Sequence, residues 1–374
     1  MIGSAFLTVA LWRIYAYHQY IQSLREFGLR GRLLLNTKRR GLEFPRRLYS
    51  TKVAIPVYSK NEKKYLDPWF VTGFSDAEGC FMVTIRENSG STLGWAVGVA
   101  FQISLHVKDK EILKEIESFF DEAGIGSNKV GINKWTFVVA SLKDLMRIVE
   151  HFDNYPLLTQ KYGDYLLFRE VIMLMQGKEH LTREGLEKIV AIKASMNLGL
   201  SKKLQAVFPN VNPVARLLVR TQKIPHPSWV SGFASGEGCF FLNIGKDSNF
   251  KTGYRVRVGF QLTQHIRDKQ LISLFETYFG CGKYYLSNDG RHGDYIVSSP
   301  HHLVEKILPF FHQHKIIGIK EQDFQSWKEA LELIIAKKHL TQEGLDRLWE
   351  IKEGMNKSSF PLPRRGKPMG TPSP

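Results

Sequence analysis

The sequence predicts an α+β protein made of two pseudo-symmetric halves, each with the element order α-β-β-α-β-β-α. The main observation is a repeat, because the stretch WFVTGFSDAEGCF around Glu78 returns as WVSGFASGEGCF around Glu237. The same offset of 159 residues pairs Gln102 with Gln261, His106 with His265, Asp109 with Asp268, Lys161 with Lys320, His180 with His339 and Asn197 with Asn356. A unit of about 130 residues is too long for a solenoid repeat, which indicates two similar domains related by a pseudo-twofold axis.

Each half is expected to begin with a helix near Pro68 or Pro227, since proline is tolerated in the first turn of a helix. Two strands follow, because apolar residues then alternate with small or polar ones, the pattern of a strand with one buried face. The inward positions are Phe81, Val83, Ile85, Val97, Val99, Phe101 and Ile103, with Val256, Val258, Phe260 and Leu262 in the second half. A helix, two shorter strands and further helical runs complete each half, with the helices on one face of the sheet.

With 374 residues the chain exceeds the size at which one core usually keeps growing, so it is expected to contain two domains and flanking segments. The predicted organisation is a basic N-terminal extension (1–66), a first domain (67–198), a basic linker (199–228), a second domain (229–356) and a Pro-rich tail (357–374).

The net positive charge of +16 lies entirely outside the two domains, which together carry −3. Residues 1–66 alone carry +10, and neither the linker nor the tail contains an acid. A surface for nucleic acid would therefore need basic and acidic side chains to be segregated between faces of the folded bodies. Cys80, Cys239 and Cys281 are too few for a disulfide scaffold and too scattered for a zinc site, which predicts a reducing compartment and no structural metal.

The N-terminal 66 residues are rich in arginine and nearly free of acids, and they contain the string RRLYST at residues 46–51. This composition is typical of a cleaved mitochondrial presequence. An alternative is an upstream in-frame extension of an organellar reading frame, and both interpretations place the protein in mitochondria. A nucleic-acid-binding arm is a third interpretation. The apolar run at residues 5–12 is too short to span a bilayer, so no membrane partner is expected.

The outward positions of the two long strands are small, polar or basic. One interpretation is a solvated antiparallel sheet. The other is a surface for duplex DNA, because a two-stranded ribbon fits the major groove and Arg, Asn and Gln read base edges bidentately. The candidate DNA-binding residues are Cys80, Met82, Thr84, Arg86, Asn88, Ala96, Gly98, Ala100, Gln102 and Ser104, with Cys239, Phe241, Asn243, Arg255, Arg257, Gln261 and Thr263 in the second half.

The repeated motif itself carries candidate chemistry. Gly73 and Ala77 lie four residues apart, as do Gly232 and Gly236. The helix that carries each motif therefore has a stripe of small residues where another backbone can approach. If the two helices pack together, Glu78 and Glu237 arrive side by side and repel unless a cation lies between them. Oxygen ligands of this kind suit Mg²⁺, which can polarise a phosphate and activate water for phosphodiester hydrolysis.

GFSDAEGCF and GFASGEGCF resemble the two LAGLIDADG motifs of a single-chain homing endonuclease, especially enzymes encoded in fungal mitochondrial introns. The resemblance runs from about residue 67 to 356 and includes FQISLHVKD, FQLTQHIRD, YPLLTQKYGDY and KIIGIKEQDF. It implies a saddle of two four-stranded sheets astride DNA. It also implies a metal-binding catalytic pair, Glu78 and Glu237, assisted by the carbonyls of Ala77 and Gly236. Lys161 and Lys320 match the basic residue of the family, and Gln264 matches its water-ordering glutamine.

The resemblance predicts a monomeric, Mg²⁺-dependent endonuclease that cuts both strands of a long, pseudo-palindromic duplex and leaves a short 3′ overhang. Ca²⁺ is expected to substitute without supporting cleavage. Leu105 occupies the position that matches Gln264, so the two sites should be unequal. Two alternatives stay open: a maturase that binds its host intron RNA, and a catalytically inactive DNA-binding module, which retention of both glutamates disfavours.

Overall fold

Both halves of the repeat fold into closely similar successions of helices and strands. The computed structural model describes residues 66–120 and 125–355. The first half contains α1 (Pro68–Glu78), β1 (Gly79–Glu87), β2 (Trp95–His106), α2 (Lys110–Phe120), β3 (Ser127–Gly131), β4 (Lys134–Val139), α3 (Leu142–Asn154), α4 (Lys161–Gln176) and α5 (Arg183–Ser195). The predicted order is confirmed, with three helices in the final helical run.

The second half follows the linker, which itself contains the short helix α6 (Lys202–Val207). Its elements are α7 (Pro227–Glu237), β5 (Gly238–Lys246), β6 (Tyr254–His265), α8 (Lys269–Phe279), β7 (Lys283–Leu286), β8 (His292–Val297), α9 (Pro300–His302), a π-helical turn (Leu303–Ile307), α10 (Leu308–Gln313), α11 (Lys320–Ile335) and α12 (Gln342–Gly354). The domain boundaries stay predictions, although α7 begins two residues inside the predicted linker.

The predicted N-terminal extension up to residue 65, and all residues from 356 onward, lie outside the described residues. The presequence, arm and tail predictions concern these residues and stay predictions. Across residues 66–120 and 125–355, every helix is too short or too polar to cross a membrane.

Each half contains one antiparallel four-stranded sheet. The strand orders are β1-β2-β4-β3 and β5-β6-β8-β7, so the two long strands pair directly. In the first sheet Phe81 pairs with Phe101, and in the second Phe240 pairs with Phe260. Since β2 and β6 each lie between two partners, alternate side chains of all four strands share one face of each sheet.

In each half the helices cover one face of the sheet, and the helices and sheet of each half enclose their own hydrophobic core. In the first half Phe81 lies against Phe101, Phe152 and Phe168, with ring centroids 5.3 to 5.4 Å apart. In the second half the ring of Phe240 contacts Phe260, Phe311, Phe324 and Trp327. Burial of each such ring stabilises the folded state by about 1.5–3 kcal/mol. The strand face that carries these rings therefore turns toward the core, as the alternation in the sequence predicts.

The opposite face of each sheet bears the outward positions, most of which are half-buried or exposed. Thr84 and Arg86 are exposed in the first sheet, and Asn243, Arg255 and Arg257 in the second. The expectation that helices lie on one face only therefore agrees with the burial pattern of both long hairpins.

The motif helices α1 and α7 pack against each other between the two halves. A Cβ at Gly73 would overlap the carbonyl oxygen of Trp229, and a Cβ at Gly232 would overlap that of Phe70. The two backbones are thus in direct contact. Asp76 reinforces the contact, because its buried carboxylate accepts a hydrogen bond from Nε1 of Trp229 at 2.8 Å.

Candidate active site

The carboxylates of Glu78 and Glu237 lie together where the paired motif helices end. Each glutamate is the last residue of its helix, α1 or α7. The side chain of Glu78 runs past Gly236, at which a Cβ would lie 3.2 Å from Cγ of Glu78 and 3.5 Å from its Oε1. The missing side chain at Gly236 therefore gives the carboxylate of Glu78 room beside Glu237.

Both glutamates are harder to ionise than glutamate in water. Burial raises the pKa of Glu237, the negative charge of Glu78 raises it further, and Lys320 and Lys161 only partly offset this, so that it reaches about 7. Burial likewise raises the pKa of Glu78, against the opposing charges of Lys320 and Lys161. Two partly buried acids whose charged forms are disfavoured make a site that a further cation would stabilise.

Replacing Glu237 by glutamine should stabilise the metal-free protein, and more so at high pH. The folded pKa of about 7 exceeds the ordinary value of 4.5, so unfolding becomes easier as pH rises between these values. Glutamine removes that penalty, which differs by about 2 kcal/mol between pH 5 and pH 8. We expect the gain in melting temperature, measured with a chelator present, to be roughly 5 °C larger at pH 8.

The control for this measurement is Glu350→Gln, because Glu350 is an exposed residue of α12 paired with Arg347. It should show no such pH-dependent gain. A gain from Glu237→Gln that is equal at the two pH values, or larger at pH 5, would contradict the raised pKa of Glu237.

Lys161 and Lys320 begin the helices α4 and α11 and point at the ends of the motif helices. The ammonium of Lys161 donates to the carbonyl oxygens of Ser75 and Ala77, each at 3.1 Å. The ammonium of Lys320 donates to the carbonyl oxygen of Gly236. Burial lowers the pKa of both lysines, while the nearby acids oppose that shift.

Gln264 contacts one of the two glutamates directly. Its Nε2 donates to Oε1 of Glu237 at 3.0 Å. Leu105, at the matching position of the first half, packs against the hydrophobic core. The two halves therefore differ in the donors that they present to the carboxylates.

The oxygen atoms at this site fit a hard divalent cation. Within residues 66–120 and 125–355, His, Cys, Asp and Glu side chains form no group of three or more that could hold a metal. The candidate ligands at this site are therefore the two glutamate carboxylates and the backbone carbonyls of Ala77 and Gly236. Mg²⁺ is commonly bound by one or two carboxylates, with waters and substrate phosphates completing its shell. The two lysine ammoniums show that these carbonyls already attract positive charge.

The outward sheet residues are aligned in cross-strand pairs. Cys80 pairs with Gln102, Met82 with Ala100, Thr84 with Gly98 and Arg86 with Ala96, while Ser104 lies further along β2 and Asn88 follows β1 in the turn. In the second sheet Cys239 pairs with Gln261, Phe241 with Gly259, Asn243 with Arg257 and Gly245 with Arg255, and Thr263 lies further along β6. On each sheet, the candidate DNA-binding residues of the two long strands therefore lie in two adjacent outward rows.

The repeat matches a known family twice. The family described as LAGLIDADG endonuclease matches residues 71–172 and 230–331, and both matches contain most of a motif helix and its glutamate. This chain belongs to the LAGLIDADG endonuclease family.

Relatives of this LAGLIDADG chain include curated and solved proteins. "Probable intron-encoded endonuclease 2" of Neurospora crassa is 36% identical over 312 residues, which is 80% of this chain and 68% of that protein. The LAGLIDADG homing endonuclease I-SmaMI bound to cleaved DNA is 42% identical with a TM-score of 0.76, covering 80% of this chain and 100% of its own. I-SmaMI bound to an uncleaved DNA target with calcium ions is 43% identical with a TM-score of 0.75, covering 78% and 99%.

The structure also places outward residues of the LAGLIDADG halves that sequence reasoning missed. They come from the short strands: Lys129, Lys134, Thr136 and Val138 in the first sheet, and Lys283, Tyr285, Asp294 and Ile296 in the second. Asp294 accepts hydrogen bonds from Gln261 and Thr263 at 2.9 and 2.6 Å. The alternation of apolar and polar residues could have indicated these positions, but each short strand is only four to six residues long.

Proposed function

We propose that this chain is a site-specific DNA endonuclease that hydrolyses both strands of a long, pseudo-palindromic duplex and leaves a short 3′ overhang. The observation that carries this is the convergence of two acids and two lysines at the end of the paired LAGLIDADG helices. An arrangement in which each half supplies one acid and one lysine suits a duplex, which presents two scissile phosphates related by a pseudo-twofold axis.

The proposed roles follow from the contacts of each group. Glu78 and Glu237 would hold Mg²⁺ with the carbonyls of Ala77 and Gly236, and Ca²⁺ would bind there without supporting cleavage. The bound metal would polarise phosphate oxygens and lower the pKa of water. Lys161 and Lys320 would neutralise charge that develops on the phosphates, since their ammoniums are held at the helix ends. Gln264, bonded to Glu237, would order the attacking water.

The outward rows of the two sheets are the proposed DNA-reading surface. Arg86, Arg255, Arg257 and Asn243 are exposed and belong to residue types that recognise base edges bidentately. Gln261 and Thr263 are held by Asp294, so their orientation is restricted before any base is met. Different side chains on the two sheets favour a target whose half-sites differ.

The proposed partner is duplex DNA, and the proposed state is a monomer, because both motif helices lie in one chain. A mitochondrial location is proposed from the arginine-rich, acid-poor N-terminal composition together with a relative named as intron-encoded. The maturase alternative is not favoured, because the relatives are named endonucleases and I-SmaMI is seen with cleaved DNA.

A cleavage selection on a randomised duplex library tests the proposal. With Mg²⁺ we expect one family of long, nearly palindromic sequences to be cut on both strands, and with Ca²⁺ the same family to be bound but left uncut. If no sequence is enriched in either condition, while the protein accelerates splicing of an intron RNA, the maturase interpretation replaces the endonuclease.

A further inference from the structure

Asp109 and Asp268 occupy equivalent positions in the repeat and make equivalent hydrogen bonds across the two halves. Each is the last residue of a short 3₁₀ turn that follows the second strand of its sheet. Oδ1 of Asp268, in the second half, accepts from the amide of Gln160 at 2.6 Å. Oδ1 of Asp109, in the first half, accepts from the amide of Ile319 at 3.0 Å. Each carboxylate therefore reaches the other half of the molecule.

The two amides immediately precede the two lysines of the site. Gln160 is the N-cap residue of α4, which begins at Lys161, and Ile319 is the N-cap residue of α11, which begins at Lys320. Neither N-cap residue makes a side-chain capping bond of its own. The first amides of a helix need external acceptors, and a carboxylate there also interacts favourably with the helix dipole.

The surroundings of each aspartate fit its hydrogen bond to the opposite half. Asp268 is buried, and its second oxygen lies 3.5 Å from Nε of Arg267. Asp109 lies beside Gly318, where a Cβ would be 3.3 Å from Oδ1 of the aspartate, and Gly318 has a φ of +89°. The backbone before α11 is thus shaped so that the aspartate of the first half can approach the amide of Ile319.

We infer that Asp109 and Asp268 are positioning residues that act crosswise, each setting the lysine of the opposite half. Asp268 would orient Lys161, and Asp109 would orient Lys320, through the amide that starts each lysine helix. Neither lysine would then be aligned unless the two halves are docked, which couples the two cleavage centres. The inference rests on the proposed function and adds to it which residues align the lysines.

A double-mutant cycle on single-turnover cleavage tests this inference. Asp268→Ala should lower the cleavage rate by about 10-fold to 100-fold, because small misplacements of a reacting group have effects of this size. In a Lys161→Met background the same change should lower the rate little further, since its target is already absent. In a Lys320→Met background the two losses should multiply. Asp109→Ala should show the opposite pattern.

Two further variants separate positioning from folding. Asp268→Asn keeps an acceptor oxygen and should recover most of the rate that Asp268→Ala loses. Thr341→Ala removes the hydrogen bond to Gly344 that caps α12, a helix that carries none of the proposed catalytic groups, and should leave the rate unchanged. If Asp268→Ala fails to fold, Asp109→Ala carries the same test from the other half.

A measurement without cleavage supports the same distinction. Hydrogen exchange should show that Asp268→Ala weakens protection of the Gln160 amide, although the two residues belong to different halves. The inference is overturned if Asp268→Ala couples more strongly to Lys320 than to Lys161, or if it leaves the rate unchanged. If the wild-type protein cuts no duplex, the proposed function itself fails, and the two failures are distinguishable.

Discussion

Replacing Glu78 or Glu237 by glutamine is expected to abolish double-strand cleavage while leaving DNA binding largely intact. The amide keeps the size of the side chain but removes a negative charge from the proposed Mg²⁺ site, so metal affinity and transition-state stabilisation should both fall. A loss of several kcal/mol corresponds to a rate decrease of about 10³-fold or more. Cleavage would be measured with Mg²⁺ on the selected target, and binding with Ca²⁺.

DNA binding should be kept because neither glutamate belongs to the outward rows of the two sheets. Glu350→Gln, on the exposed side of α12, is the matched control and should cut normally. A Glu237→Gln protein that cuts both strands at the wild-type rate would remove Glu237 from the mechanism. Cutting of one strand only would mean that the two glutamates serve separate phosphates.

The fold was predictable because the strongest features are local and occur twice. The repeated motif predicted the two helices, and alternation predicted the face of β1, β2, β5 and β6 that enters the core. The placement of Lys161 and Lys320 came from the family resemblance, since nothing in a lone lysine at the start of a helix indicates which carbonyl it will reach. Their ammoniums do lie at the motif helix ends in the structure.

The parts that were missed depend on contacts between segments far apart in the chain. Asp294 meets Thr263 only because β8 pairs with β6, and short strands carry too few alternating residues to predict that register. The offset between the halves also changes from 159 to 158 residues at these strands, as the bounds of β4 and β8 show. The hydrogen bonds that Gln160 donates to Asp268 and Ile319 donates to Asp109 cross between the halves, and no local pattern in the sequence indicates them.

Replacing Gly73 by alanine is expected to destabilise the protein severely. Its Cβ would overlap the carbonyl oxygen of Trp229 and lie 2.9 Å from the amide nitrogen of Phe233, and both are helix backbone that cannot rotate away. The motif helices would have to separate, which also moves Glu78 relative to Glu237. We expect a cost of about 3 kcal/mol or more, seen as a fall of roughly 10 °C in melting temperature.

Gly354→Ala is the matched control, because Gly354 ends α12 and a Cβ there meets nothing within 4 Å. That change should be neutral or slightly stabilising, since alanine favours the helix. Gly232→Ala should reproduce the loss, because it meets the carbonyl of Phe70 in the symmetry-related way. A Gly73→Ala protein with the stability and cleavage rate of wild type would show that close contact between the two backbones is not what brings the glutamates together.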